Sequence, residues 1–137
     1  PSAGYLAGDH VRLRDELGLL TRPLADEVAA DEGEREAWLG ELRSRGLLQD
    51  GATVEDTVRA LHEYLTLTPA RLLNVALTDA VGDRRTQNQP GTTDEYPNWR
   101  VPLAGPAGEP VMLEDVFRSS RATALRHWSS FRPGGTR

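Results

Sequence analysis

Five prolines, Pro90, Pro97, Pro102, Pro106 and Pro110, punctuate residues 83–111, and neither a helix nor a central strand can be drawn through them. Proline has no backbone N–H to donate and fixes its own φ, so each one ends whatever ladder reaches it. An irregular segment this long inside a compact domain is either functional or disordered. Composition decides between the two. A flexible linker is rich in small polar residues and has no use for Tyr96 and Trp99. Residues 87–100 carry both rings together with Gln87, Asn88, Gln89, Asn98 and Arg100. The segment is therefore expected to be held rigid and to touch a ligand or partner.

Helical patterns flank it. Leu6, His10, Leu13, Leu17 and Leu20 recur at spacings of four and three, one face of a single amphipathic helix that ends near Gly18. Pro23 suits the first turn of a second helix, which the polar stretch 31–36 with Gly33 is expected to interrupt. The acidic run 26–36 reads as a solvated face. Trp38, Leu39 and Leu42 give a short apolar stripe closed by Gly46. Thr53, with Asp56 three residues on, reads as an N-cap for a helix carrying Val54, Val58, Leu61 and Leu65, stopped by Thr68 and Pro69. Beyond the prolines, 112–131 reads as one or two helices with Leu113, Val116, Phe117, Leu125 and Trp128 inward, and 132–137 as a disordered tail.

Residues 72–77 differ from these. They are nearly continuously apolar, as in a strand buried on both faces. Periodicity alone does not separate that from a short buried helix. Pro69 ahead and the long loop behind favour the strand. A lone strand has no neighbours for its backbone donors and acceptors. The expected class is therefore a mainly α-helical unit with one short buried strand, a single unit over 1–137 that reads as a piece of something larger. The absence of Met at Pro1 agrees with that expectation.

Composition removes several functions. The 137 residues hold 16 basic and 21 acidic side chains, a net charge of −5, which argues against a nucleic-acid footprint. There is no cysteine for a disulfide or a thiolate zinc site. His10, His62 and His127 are scattered, and His10 reads as a core or interface histidine. No apolar run is long enough to span a membrane, and no signal-peptide pattern opens the chain. Phosphate-cradling glycine motifs and a nucleophile elbow are absent.

Acid–base chemistry needs paired carboxylates, and in the informative loop only Asp94 and Glu95 are paired. Neighbours in an extended loop point apart, so they read as turn caps or partners of Arg100. Asp79 is better placed, yet a capping role suits it more. The residues alone do not supply a convincing catalytic set. Carbohydrate binding fits better, because sugars are held by aromatic faces and amide hydrogen bonds. The competing reading for Tyr96 and Trp99 is that they pin the loop onto the core.

The run Asn88, Gln89, Pro90, Gly91, Thr92, followed by Asn98, Trp99, Arg100, resembles the C-terminal signature of the 4-alpha-glucanotransferases (amylomaltases, disproportionating enzymes; glycoside hydrolase family 77). Weaker similarity extends over the chain. Residues 2–12 resemble the segment after that family's Thr-His-Asp motif. Residues 72–77 with Asp79 and Gly82 resemble the segment before its Asn-x-Pro-Gly-Thr loop, whereas 24–66 is weakly diagnostic.

The resemblance implies the C-terminal part of a (β/α)8 barrel, whose active site lies at the C-terminal ends of the strands. Residues 72–77 would be the eighth strand, the helices before it the seventh-helix region, and 112–131 the eighth helix. It implies a cytoplasmic bacterial enzyme of starch and glycogen metabolism. Such an enzyme transfers alpha-1,4-glucan segments between maltooligosaccharides by a retaining mechanism, with no metal or organic cofactor. The family's catalytic carboxylates would precede Pro1, so the isolated 137 residues are expected to be inactive and to need the N-terminal part of their own chain. Asn88, with Pro90, Gly91 and Thr92 shaping the backbone, would be the substrate-binding positions. Two readings without enzymatic activity compete with this one: an independent helical protein-interaction module, and a stand-alone carbohydrate-binding module using Trp99 and Asn88.

Overall fold

The structure, a computed structural model, describes residues 1–129, of which 126–129 by backbone alone. The expectations for the Trp128 side chain and for 132–137 lie outside the described residues. Seven helices are formed among them: α1 (Ser2–Leu6), α2 (Asp9–Glu16), α3 (Leu24–Ser44), α4 (Val54–Thr66), α5 (Leu77–Val81), α6 (Leu113–Arg118) and α7 (Ser120–Ser129). Between α5 and α6 the chain is irregular, with one antiparallel bridge between Ala104 and Pro110.

α4 starts where the sequence says it should. Thr53 Oγ1 accepts the Asp56 N–H at 3.1 Å, and the Asp56 carboxylate accepts the Thr53 N–H at 3.1 Å. Two donors that a helix start leaves open are thereby satisfied reciprocally. Thr53→Ala is expected to cost about 1 kcal/mol, read as loss of hydrogen-exchange protection confined to the first turn of α4. α4 packs against α1, α3 and α7. Its seam with α3 is the core: Leu42, fully buried, meets Leu48 and Ala60, with Leu39, Leu47, Leu61 and Tyr64 around them. Trp38 stands edge-on to Tyr64 at 5.8 Å, and the Arg45 guanidinium lies over the same ring at 5.1 Å. These aromatic and cation contacts close the seam at its solvent edge.

Several expectations are corrected. The helix expected from Leu6 to near Gly18 ends there but starts only at Asp9, with Leu6 closing α1, because Gly8 adopts φ 70° and redirects the chain between α1 and α2. A left-handed residue cannot continue a right-handed helix, and glycine takes that conformation without a Cβ penalty. α3 is not interrupted at 31–36. Its alanines and glutamates are strong helix formers, Arg35 pairs with Asp31 one turn back at 2.7 Å, and one glycine costs only about 1 kcal/mol. The acidic face is solvated except at Glu27, which is buried and paired with Arg22 at 3.1 Å, and at half-buried Asp31. His10 is an interface histidine, 3.0 Å from Asp31 of α3 and stacked on Tyr5. In α6 and α7 Val116 and Leu125 are buried, but Leu113 and Phe117 are exposed.

The largest correction concerns residues 72–77. No buried strand forms there. Residues 72–76 have no regular structure, Leu72 is 88% exposed, and Leu77 opens α5. A strand exists through its neighbours' backbone groups, and no described residue offers it a ladder. The buried residues next to this run belong to α5 instead: Thr78, Asp79, Ala80 and Val81.

α5 also anchors the chain's start. The Asp79 carboxylate accepts the Ser2 N–H at 2.7 Å and the Ser2 hydroxyl at 2.8 Å, with His62 Nε2 at 3.6 Å. Just beyond, Arg84 grips Asp9 bidentately at 2.7 and 2.8 Å. α1, α2 and the first residues of the irregular stretch are thus tied together, which fixes where the proline-rich segment departs.

Candidate functional site

The base of the segment is organised by Asp83, 1% exposed. Its carboxylate accepts the Arg85 N–H at 2.9 Å, the Arg85 guanidinium at 3.0 and 2.9 Å, and the Ala104 N–H at 3.0 Å. One side chain therefore holds both ends of an irregular stretch of about twenty residues. Burial alone pushes the Asp83 carboxyl up. The bonds from Arg85 and from the Arg85 and Ala104 amides, with the Arg85 charge, outweigh it and hold the carboxyl below the usual aspartate range.

The tip is organised by Asn98. Its Oδ1 accepts the Gln89 N–H at 2.7 Å, and its Nδ2 donates to Thr92 Oγ1 at 2.9 Å. The Thr92 hydroxyl in turn donates to the Gln89 carbonyl at 2.7 Å. Tyr96 donates its hydroxyl to the Thr86 carbonyl. Glu95 caps the Thr93 N–H at 2.7 Å, and that bond holds its carboxyl below the usual range. The segment is held rigid by amide and hydroxyl networks of its own, as its composition led us to expect.

The four predicted site positions fall into two kinds. Thr92 is half-buried and its hydroxyl is committed inside the loop, so it shapes the backbone rather than offering a free group. Pro90 and Gly91 are exposed at the turn; Gly91 has φ 88°, which a side chain would strain, and a Cβ there would meet Leu19 at 3.5 Å. Asn88 is half-buried, and its carboxamide makes no hydrogen bond with any described residue. Of the four, only Asn88 keeps a polar group for a ligand. Trp99 does not pack on the core formed by the described residues. It is 78% exposed at φ 60°, with its N–H bonded to the Gln87 carbonyl at 2.8 Å.

Asp83 and Arg85 were not singled out from the sequence. The one available signal for Asp83 is an acid two residues before an arginine at the start of a proline-rich run, a pattern that solvated turns share.

Two clefts of about 490 and 480 Å³ lie elsewhere. One is bounded by Val54, Val58, Arg84, Pro106, Arg121 and Leu125, the other by Ser2, Tyr5, Trp38, Leu42, Leu61 and Asp79, and no residue of 87–100 lines either. Among the described residues no group of three or more His, Asp or Glu is placed to hold a metal ion, and no helix is long and apolar enough to cross a membrane. The buried carboxylates, Asp79, Asp83 and Glu27, are all engaged with partners inside the fold.

The comparisons with known proteins bear on this loop directly. A family model described as 4-alpha-glucanotransferase matches residues 3–107, which include the whole of it. The 4-alpha-glucanotransferases of Mycobacterium tuberculosis and Mycobacterium bovis are 65% identical over 127 residues, 91% of this chain. This chain spans 18% of the length of those relatives. The crystal structure of amylomaltase from Corynebacterium glutamicum superposes with a TM-score of 0.83 at 34% identity, over 94% of this chain and 20% of that one. With the signature loop inside the matched span and its backbone held by the residues that define the signature, the chain belongs to the 4-alpha-glucanotransferase family.

Proposed function

We propose that this chain forms one wall of the glucan site of a cytoplasmic enzyme that transfers alpha-1,4-glucan segments between maltooligosaccharides with retention of configuration. The observation that carries the reading is the loop at 87–100: a backbone locked by Asn98, Thr92 and Gln89, with the Asn88 carboxamide unpaired among the described residues. Asn88 binds a sugar hydroxyl, and Pro90, Gly91 and Thr92 give the turn its shape. A retaining transfer needs a carboxylate nucleophile and a carboxylic acid roughly 5–5.5 Å apart across the sugar. The nucleophile attacks the anomeric carbon, the acid protonates the leaving oxygen, and an acceptor hydroxyl then takes the place of water. The buried carboxylates described above are committed to structural partners. That supports placing the catalytic pair in the remainder of the full-length protein, the partner this chain needs for activity.

In that setting residues 72–76 would become the eighth strand of a (β/α)8 barrel, preceded by the seventh-helix region and followed, at α6 and α7, by the eighth-helix region. The run at 72–75, exposed at Leu72 and half-buried at Leu73 and Val75, has no backbone hydrogen bond among the described residues and supports this: its composition is that of a parallel strand. The loop then stands at the rim where such barrels bind substrate.

The test is disproportionation of maltotriose by the full-length protein and by its Asn88→Ala variant. The variant is expected to lose about tenfold in kcat/KM, the loss of one well-placed hydrogen bond. An unchanged kcat/KM would remove Asn88 from the site, and a wild type without transferase activity would end the reading.

A further inference from the structure

We propose that the Trp99 indole is a stacking platform for one glucosyl unit of a bound alpha-glucan, an assignment that rests on the glucan-transfer reading above. Trp99 is the one non-glycine residue with positive φ among the described residues, at 60°. That region is disfavoured for a bulky side chain and persists where surrounding contacts over-determine it. The contacts are present on both sides. The Trp99 N–H donates to the Gln87 carbonyl at 2.8 Å, and the Arg100 N–H to the Pro97 carbonyl at 2.9 Å. Asn98, the preceding residue, is held through both ends of its carboxamide.

Among the described residues the indole stands in the open. It is 78% exposed, and no aromatic ring or cation among the described residues meets it. A rigid, exposed apolar ring set by a strained backbone is arranged to receive something flat and partly apolar. The C–H face of a pyranose has that character. Its hydroxyls need hydrogen-bonding groups nearby, and the backbone bond to Gln87 sets Trp99 beside Asn88, whose carboxamide is unpaired among the described residues. The ring supplies the face and the amide supplies the edge of one saccharide subsite.

The experiment compares Trp99→Phe, Trp99→Leu and Trp99→Gly in the full-length protein. KM and kcat for maltotriose are measured together with Tm. Leu and Gly are expected to raise KM about tenfold, with kcat within about twofold, and Phe to retain most of the wild-type KM. Leu performing as well as Phe would show that apolar bulk suffices and would overturn stacking. An unchanged KM in all three, with or without a fall in Tm, would also overturn it. If Leu and Gly do not fold, fluorescence decides: maltoheptaose is expected to change the emission of the wild type and to change that of Trp99→Phe much less, and equal changes would overturn the assignment. A wild type that transfers no glucan would sink the parent reading before any variant is compared, whereas an active wild type with normal variants would sink only this one.

Discussion

Asp83→Ala is expected to destabilise the protein by about 2–3 kcal/mol, the upper part of the range for leaving a buried donor without its acceptor. The reason is local and countable. Asp83 is buried and accepts from the Arg85 amide, both ends of the Arg85 guanidinium fork and the Ala104 amide. Alanine leaves the buried Ala104 N–H without its acceptor, leaves the Arg85 guanidinium only the Pro102 carbonyl and solvent, and frees both ends of the proline-rich segment at once. Asp83→Asn separates charge from shape, since the amide keeps one acceptor and loses the charge. The folded carboxyl ionises below its ordinary range. Its contribution is therefore complete above the unfolded aspartate value of about 3.9 and is lost as pH falls through the lower folded value. The Tm gap between wild type and Asp83→Asn is expected to be constant from pH 7 to about 5 and to narrow below about pH 4. A gap that does not narrow in acid would show that the charge of Asp83 contributes nothing.

What could be read from the chain in advance follows a physical line. Features closed within four or five residues were legible. Thr53 and Asp56 complete their capping box without help from the rest of the fold, and the prolines after Gly82 forbid regular structure wherever they are placed. Gly8 and Gly33 mark the limit of that logic. Both interrupt a helical pattern, but only Gly8 adopts a left-handed φ and breaks the helix, whereas Gly33 is carried by good helix formers around it. Features that depend on distant partners were not legible. Asp83 acquires its role from Ala104, twenty-one residues on. Residues 72–76 carry the composition of a buried strand and remain without a ladder, because composition specifies burial and the partners decide whether it is realised. The loop shows both sides. Its rigidity was visible in its amides and aromatics. The division of labour inside it, with Thr92 spent on the backbone and Asn88 left open, required the hydrogen bonds themselves.

Gly4→Ala is expected to cost more than about 3 kcal/mol, beyond the usual range for overpacking. Gly4 is buried where α1 crosses the backbone of Arg84. A Cβ built there would be driven into the Arg84 carbonyl oxygen, far inside van der Waals contact. It would also lie 3.0 Å from the carbonyl carbon and 3.4 Å from Cα. The obstacle is backbone, so no side-chain rotation relieves it, and either α1 or residue 84 has to move. Both are tethered. Ser2 is bonded to Asp79 on one side of the crossing and Asp9 to Arg84 on the other. A shift of α1 therefore breaks those bonds too, and the displacement passes to Asp83, the next residue back along the chain. Thermal unfolding is expected to show a Tm drop well beyond that of Thr53→Ala, whose cost is a single cap. Combining Gly4→Ala with Asp83→Ala is expected to cost less than the sum of the two, because both act on the junction at 83–84. Strict additivity would mean that α1 and the base of the loop are independent, and a Gly4→Ala protein with wild-type Tm would show that the crossing has room.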